Sequence, residues 1–435
     1  MIHQFMEVTL TNINQYFTRI APCLTRPNCL QSFFPGVLLL FFFNQPAFAA
    51  VIGKVVQPFA SYAFTADDNI LRIRDKMDPV PLLNTNNLFD MSHRFTGGLL
   101  FEKEISRQRL TANLNWAHTS FEKFNQMDNN LKNLNGNWNW FLGNRLEGNM
   151  GASYVQSLAP FLFQPGIKNI RTEQRAFINA IWRFHPSWNL HGDYTRYDLS
   201  TDSPIERLKF LNRIEDRFEG GIDYVTSDRN TVGILFRDKI GDFPARVLAP
   251  DGSSFTDNGY DQKEVMARIN WVVSAKSRLL WTGGWVERKN ASFSQRDFSG
   301  FNARMTYAWE PTSKVGLTIN AWRETAAMQQ LTASFSLNTG VSVEPSWNIT
   351  QKVTLEGNFS YETREFSRFA VLTDPLPLGR NNTIRNAAVK LTYTPYLGLQ
   401  LSASVYNNHL KSDVSLGGFS ANGANINLQY TYGKR

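Results

Sequence analysis

Ala424, Asn425, Ile426, Asn427, Leu428, Gln429, Tyr430, Thr431 and Tyr432 form the stretch that decides the fold class. Every second residue is apolar or aromatic and the residues between them are small and polar, so an extended chain here has one greasy face and one wet face. The pattern lies almost at the end of the chain, followed by Gly433, Lys434 and Arg435, and it recurs upstream in segment after segment. An antiparallel, up-and-down transmembrane β-barrel explains such repetition, because its strands face lipid on one side and a wet interior on the other.

Working outward, the same alternation assigns faces elsewhere. Val353, Leu355, Gly357, Phe359 and Tyr361 are expected to face lipid, with Thr354, Glu356, Asn358 and Ser360 inside. Likewise Phe301, Ala303, Met305, Tyr307 and Trp309 face out, and Asn302, Arg304 and Thr306 face in. The alternation predicts about 18 strands between Val55 and Tyr432, with 16 as the alternative count. Turn-forming residues punctuate the strands at Leu142–Asn144, His185–Ser187, Thr226–Asn230, Ser274–Ser277, Glu310–Lys314, Asn348–Gln351 and Pro395–Gly398. Longer polar connections at Thr65–Asp90, Ser157–Thr172, Gly241–Gly259 and Phe366–Thr383 alternate with these tight hairpins. Short turns at one end and long loops at the other are the asymmetry of an outer-membrane barrel, the turns being periplasmic. Trp140, Phe141, Phe184, Trp188, Trp309, Trp347 and Tyr396 gather beside the turns and read as an interfacial aromatic girdle.

Composition agrees. The chain has 435 residues, 42% of them hydrophobic and 13% aromatic, too polar for a helical membrane protein and too aromatic for a disordered one. Its formal charge of +8 is spread through the strands without a basic stripe or recognition module, which excludes nucleic acid as a partner. At the N-terminus, Arg19 and Arg26 precede the apolar run Phe33–Phe43 and the small-residue stretch Ala47–Ala50. This is a signal peptide over residues 1–49, cleaved after Ala49 for export to the outer membrane, with the barrel occupying 50–435. Both cysteines, Cys23 and Cys29, fall in the leader, so the mature chain has no thiol chemistry.

The inward face is expected to carry Arg94, Arg145, Glu147, Asp193, Arg217, Glu219, Asp223, Arg237, Arg268, Arg304, Glu356 and Lys390 among many asparagines. Amides both donate and accept hydrogen bonds, a property suited to carbohydrate hydroxyls, although any water-filled lumen is polar. The six histidines show no metal-ligand spacing and no nucleophile elbow is present, so neither a cofactor nor enzymatic activity is expected. His191 and Asp193 share a strand face and are the pair on which a barrel enzyme acting on lipid or glycan would be built.

One stretch has individuality. After the first strand come Asp67, Asp68, Asn69, Leu71 and Arg72, where two carboxylates and an amide either cap a turn or supply oxygen ligands to a hard cation. These five residues, together with the plan of the whole mature chain, resemble the opening of the EpsL-type outer-membrane proteins encoded in exopolysaccharide operons, a group similar to β-barrel porins. The resemblance implies a barrel taking part in exopolysaccharide biosynthesis or export. Its partners would be outer-membrane lipid, the secreted polysaccharide, and periplasmic or inner-membrane synthesis components. It implies no catalytic residues. The alternative on the residues alone is a general diffusion porin for small solutes.

Overall fold

The computed structural model describes residues 55–76, 84–159, 168–203, 206–248, 255–292, 294–327, 335–366, 380–413 and 417–433. The expected leader and its cleavage point lie outside the described residues.

The strands are β1 (Val56–Asp67), β2 (Asp90–Ile105), β3 (Gln108–Phe121), β4 (Asn129–Leu142), β5 (Leu146–Leu158), β6 (Ile170–His185) and β7 (Trp188–Asp202). There follow β8 (Arg213–Val225), β9 (Thr231–Asp242), the two-residue strands β10 (Val247–Leu248) and β11 (Phe255–Thr256), β12 (Tyr260–Ser274) and β13 (Ser277–Asn290). The chain continues through β14 (Phe298–Thr312), β15 (Val315–Ala327), β16 (Phe335–Asn348), β17 (Val353–Phe366), β18 (Arg380–Tyr396), β19 (Leu399–Ser412) and β20 (Phe419–Thr431). Short 3₁₀ turns at Asn125–Met127, Glu206–Leu211 and Ser294–Arg296 are the only helical elements among the described residues.

All strands but β10 and β11 belong to one 18-stranded antiparallel sheet. β1 pairs with both β2 and β20, and β9 pairs with β12, so the sheet closes on itself and leaves no edge. Closure matters physically: a barrel satisfies every strand's backbone within the sheet, which is what hydrocarbon demands. Barrel strands run from 12 residues in β1 to 17 in β18, longer than the roughly 9–11 that a tilted strand needs to cross a bilayer.

Eight hairpin connections of two to five residues lie at one end of the barrel and the longer connections at the other. The expected hairpin positions coincide with seven of the short ones. The eighth, between β2 and β3, consists of Ser106 and Arg107 and lacks the usual Gly, Pro or Asn; Ser106 adopts a left-handed φ of 57° instead. At the opposite end small apolar clusters form, one of Leu71, Ile73, Phe121, Phe124 and Met127, another of Leu208, Leu211, Phe243, Tyr260 and Ala327. Two more small clusters, of Ile384, Leu410, Phe419 and Ala421 and of Leu235, Met266 and Val286, are also buried, while the large exposed apolar side chains lie mostly on the outer face, as in Trp285 at 59% and Val265 at 58% exposure.

Ten of the eleven tryptophans stand on that outer face and one, Trp322, on the inner face. Beside the short turns, Phe184, Trp188, Trp309, Trp347 and Tyr396 are exposed and outward. Phe141 departs from the expected girdle: its register opposite Glu147 puts it on the inner face, with the Arg107 guanidinium 4.8 Å from its ring centroid. The period-2 rule itself explains this, since neighbours such as Trp140 and Phe141 must face opposite ways.

Candidate functional site

The inner wall is the surface on which chemistry can be built. Neighbouring strands lie about 4.8 Å apart, so side chains two strands away from each other meet most readily where a concave wall makes them converge and the strand between them is bare. Four hydrogen bonds or ion pairs among the described residues cross a glycine in this way. Asp223 on β8 reaches Arg268 on β12 at 3.1 Å over Gly233 of β9. Tyr260 of β12 donates to Glu215 of β8 over Gly241. The Trp322 indole N–H donates to Glu362 at 3.0 Å over Gly340. Tyr406 Oη donates to Asp67 at 2.5 Å over Gly423. A Cβ at these four glycines would lie 2.1 to 2.5 Å from the passing side chain.

One sector of the wall, β7 to β13, is a continuous charge network. Arg217 pairs with Asp193 at 2.7 Å, Arg237 with Glu219 at 2.8 Å and Glu264 at 2.7 Å, and Lys239 with Glu215 at 3.3 Å. Gln262 donates to Glu264 at 2.5 Å, and the Arg288 guanidinium lies 3.4 Å from the centroid of the Tyr260 ring. Asp223, Glu264, Tyr260 and Arg288 are each at most 3% exposed. Charges taken that far from water persist only when paired and hydrogen-bonded, and here each carboxylate meets a cation or a polar donor. His191 Nδ1 lies 2.9 Å from Asp223, while its Nε2 has no hydrogen-bond partner and sits 4.0 Å from Glu219.

A second sector, β3 to β6, is lined by amides. Asn115 donates to Asn113 at 3.2 Å, Asn133 to Asn115 at 3.2 Å, and Asn137 to Asn139 at 2.9 Å. At its short-turn end a recess of about 430 Å³ is lined by Arg109, Asn139, Phe141, Glu147, Asn149 and Asn179 among others. The remaining strands carry hydroxyls and amides, with the exposed ion pairs Arg304 with Glu324 at 2.5 Å and Lys390 with Glu356 at 3.1 Å.

The third feature is the seam between first and last strands at the long-loop end, where the Asp67 to Arg72 stretch folds. Asp67 accepts from the Asn69 backbone N–H at 2.9 Å and pairs with Arg72 at 2.9 Å, and Arg72 also donates to Asn408 at 3.1 Å. Asn69 grips both backbone groups of Ile73, at 2.9 and 3.0 Å. Asp68 accepts from the backbone and side-chain amide of Asn422, at 2.7 and 2.9 Å. Leu71 is wholly buried. Arg72 takes a φ of 54°, a left-handed conformation that this density of bonds holds in place. The carboxylates bind N–H and O–H donors, the turn arrangement rather than the cation arrangement.

Eleven of the twelve residues expected on the inner face stand in strands with inward register: Arg94, Glu147, Asp193, Arg217, Glu219, Asp223, Arg237, Arg268, Arg304, Glu356 and Lys390. Arg145 falls in the exposed turn between β4 and β5. Six of them join the β7 to β13 network, while Glu147, Arg304, Glu356 and Lys390 sit in separate pairs and Arg94 stands alone. The pair considered for a barrel enzyme separates: His191 turns to Asp223, and Asp193 binds Arg217. Glu215, Lys239, Tyr260, Glu264 and Arg288 were not singled out by sequence, although an isolated glycine inside a strand is a signal of close approach.

A family model described as "Putative beta-barrel porin 2" matches residues 281–432. A search of curated proteins finds no match. Among solved structures, OccAB3 of Acinetobacter baumannii is similar at 10% identity and a TM-score of 0.43, over 88% of this chain and 100% of that one. OccK2 (OpdF) of Pseudomonas aeruginosa, in complex with glucuronate, is similar at 8% identity and a TM-score of 0.46, over 86% and 98%. A BenF-like porin from Pseudomonas fluorescens Pf-5 is similar at 11% identity and a TM-score of 0.45, over 87% and 99%. The chain is thus a closed β-barrel, apolar outside and polar within, whose last third is similar to a porin family model.

Proposed function

We propose that the protein is a passive porin for small polar solutes. The observation that carries this reading is the wall chemistry: a closed barrel with an amide-rich sector beside a charged sector, in both of which ions pair with one another. Such a wall exchanges hydrogen bonds with passing water and solutes, and its paired ions present few strong traps. The expected leader would deliver the chain to the periplasm for insertion. Reconstitution into planar bilayers tests the reading: stepwise, ohmic currents in potassium chloride are expected, and a folded barrel that inserts without conducting would overturn it.

Passage of a secreted polysaccharide, implied by the first-strand resemblance, is the second reading. The amide row favours it, since carbohydrate hydroxyls need donors and acceptors of moderate strength. It requires that deleting the gene lower the exopolysaccharide released by the cell; unchanged release would leave the small-solute reading alone.

A further inference from the structure

The short-turn end of the barrel carries a charge pattern that the wall does not share. Its eight connections hold six cations, Arg107, Arg145, Arg229, Lys276, Lys314 and Lys352, against the single acid Asp228. All six are exposed, and none is in an ion pair among the described residues. Arg107 and Lys276 donate to the backbone carbonyls of Gly143 and Pro311, at 2.7 and 2.6 Å, which leaves their charge uncompensated. Elsewhere cations are paired. On the wall Arg217, Arg237 and Arg268 each meet a carboxylate within 3.1 Å, and toward the long-loop end Arg72 meets Asp67 at 2.9 Å and Lys289 meets Glu287 at 3.1 Å.

Strand register sets the rim cations at the edge of the apolar belt. Lys276 precedes Ser277, which stands opposite Trp309. Lys314 precedes Val315, opposite Trp347, and Lys352 precedes Val353, opposite Tyr393. All three rings are exposed on the outer face. Such rings settle where hydrocarbon gives way to water, so an ammonium one residue beyond the strand lies at the depth of lipid phosphates.

The spread of the charges matters as well. Successive connections stand two strands apart, roughly 10 Å, which is about the screening length at physiological salt. Neighbouring cations therefore reinforce one another's field and gain from anions placed between them. The six lie around the rim rather than on one side of it, since each belongs to a different hairpin of the closed sheet. A folded partner seated on one side would reach only some of them, whereas lipid surrounds a barrel completely.

We propose that this rim binds anionic phospholipid headgroups, so that the leaflet at the short-turn end is enriched around the barrel in lipids of net negative charge. Lys276, Lys314 and Lys352, on three consecutive connections of the main sheet, form its most concentrated sector. Lipid binding of this kind does not depend on whether the barrel conducts.

The test is native mass spectrometry of the full mature chain in detergent, given equal amounts of phosphatidylglycerol and phosphatidylcholine with the same acyl chains. Phosphatidylglycerol adducts are expected to exceed phosphatidylcholine adducts about threefold or more. The triple variant Lys276→Gln, Lys314→Gln, Lys352→Gln changes only exposed side chains and is expected to bring that ratio close to one. Lys263→Gln, Lys289→Gln, Lys411→Gln removes the same charge from exposed positions toward the long-loop end and is expected to leave the ratio unchanged. Equal adducts of the two lipids on the unmodified chain would overturn the proposal. So would a ratio that the first triple variant leaves intact, or that both variants lower alike. Binding of poly-L-glutamate that needs the same three rim lysines, with no preference between the lipids, would assign the rim to an acidic polypeptide instead.

Discussion

Asp223 and Arg268 lie on strands that are not neighbours, yet their side chains meet at 3.1 Å because the residue between them is Gly233. Asp223 also meets His191 at 2.9 Å, so one carboxylate 1% exposed ties together β7, β8 and β12. Three further contacts repeat the device at Gly241, Gly340 and Gly423. In a barrel without a central apolar core, such bridges over bare backbone take over part of the work of packing.

Replacing Gly233 by alanine is therefore expected to destabilise the barrel. The new Cβ would stand 2.1 Å from Asp223 Oδ1 and 2.7 Å from the Ile222 carbonyl oxygen, and only one of those can move aside. A loss of about 1–3 kcal/mol, the usual scale of overpacking, should appear as a lower urea midpoint in detergent or vesicles. Gly192→Ala is the matched control, since its nearest neighbour lies at 3.8 Å.

The two kinds of ion pair should respond differently to mutation. Asp223→Asn leaves His191 and Arg268 in a buried setting without their carboxylate, and a cost approaching about 3 kcal/mol is expected, reduced by the partial exposure of Arg268. Glu356→Gln breaks a pair whose partners are 47% and 45% exposed, and should change stability by less than about 1 kcal/mol. Equal losses in the two variants would mean that the network acts as ordinary solvated surface.

At the seam, Tyr406→Phe removes one hydrogen bond to a buried carboxylate, with an expected cost of about 1.5–3 kcal/mol. Arg72→Ala removes the ion pair to Asp67 and the bond to Asn408 together. Limited proteolysis of inserted barrels should cut the Arg72→Ala protein in its first long loop well before the unmodified one. Identical cleavage would show that the turn is held by Asn69 and Asp68 alone.

Tryptophan fluorescence provides a direct test of the faces. Single-tryptophan barrels retaining Trp116 or Trp285, 43% and 59% exposed on the outer wall, should be strongly quenched by brominated lipid. A barrel retaining Trp322 should be quenched least, because its indole N–H is bound to Glu362 inside. Strong lipid quenching of Trp322 would reverse the register of β15.

The sequence by itself determined the class of fold, the approximate number of strands and the side that most strand residues face. A strict period of two, read through Ile426 and Leu428 or through Val353 and Leu355, is a local property of the extended chain and is visible without neighbours. It also located seven of the eight short turns, missing Ser106 and Arg107, a two-residue turn with no Gly, Pro, Asn or Asp to mark it. Period alone could not place Arg145, which carries inward parity but belongs to a turn. Nor could it reveal which charges meet. Asp193 and His191 look like partners in sequence and are not; Asp223 and Arg268 are 45 residues apart, by their numbering, and are. Partnership depends on sheet register, on curvature that brings alternate strands together, and on glycines that clear the path between them. These are properties of the closed barrel, and they exist only once β1 has paired with β20.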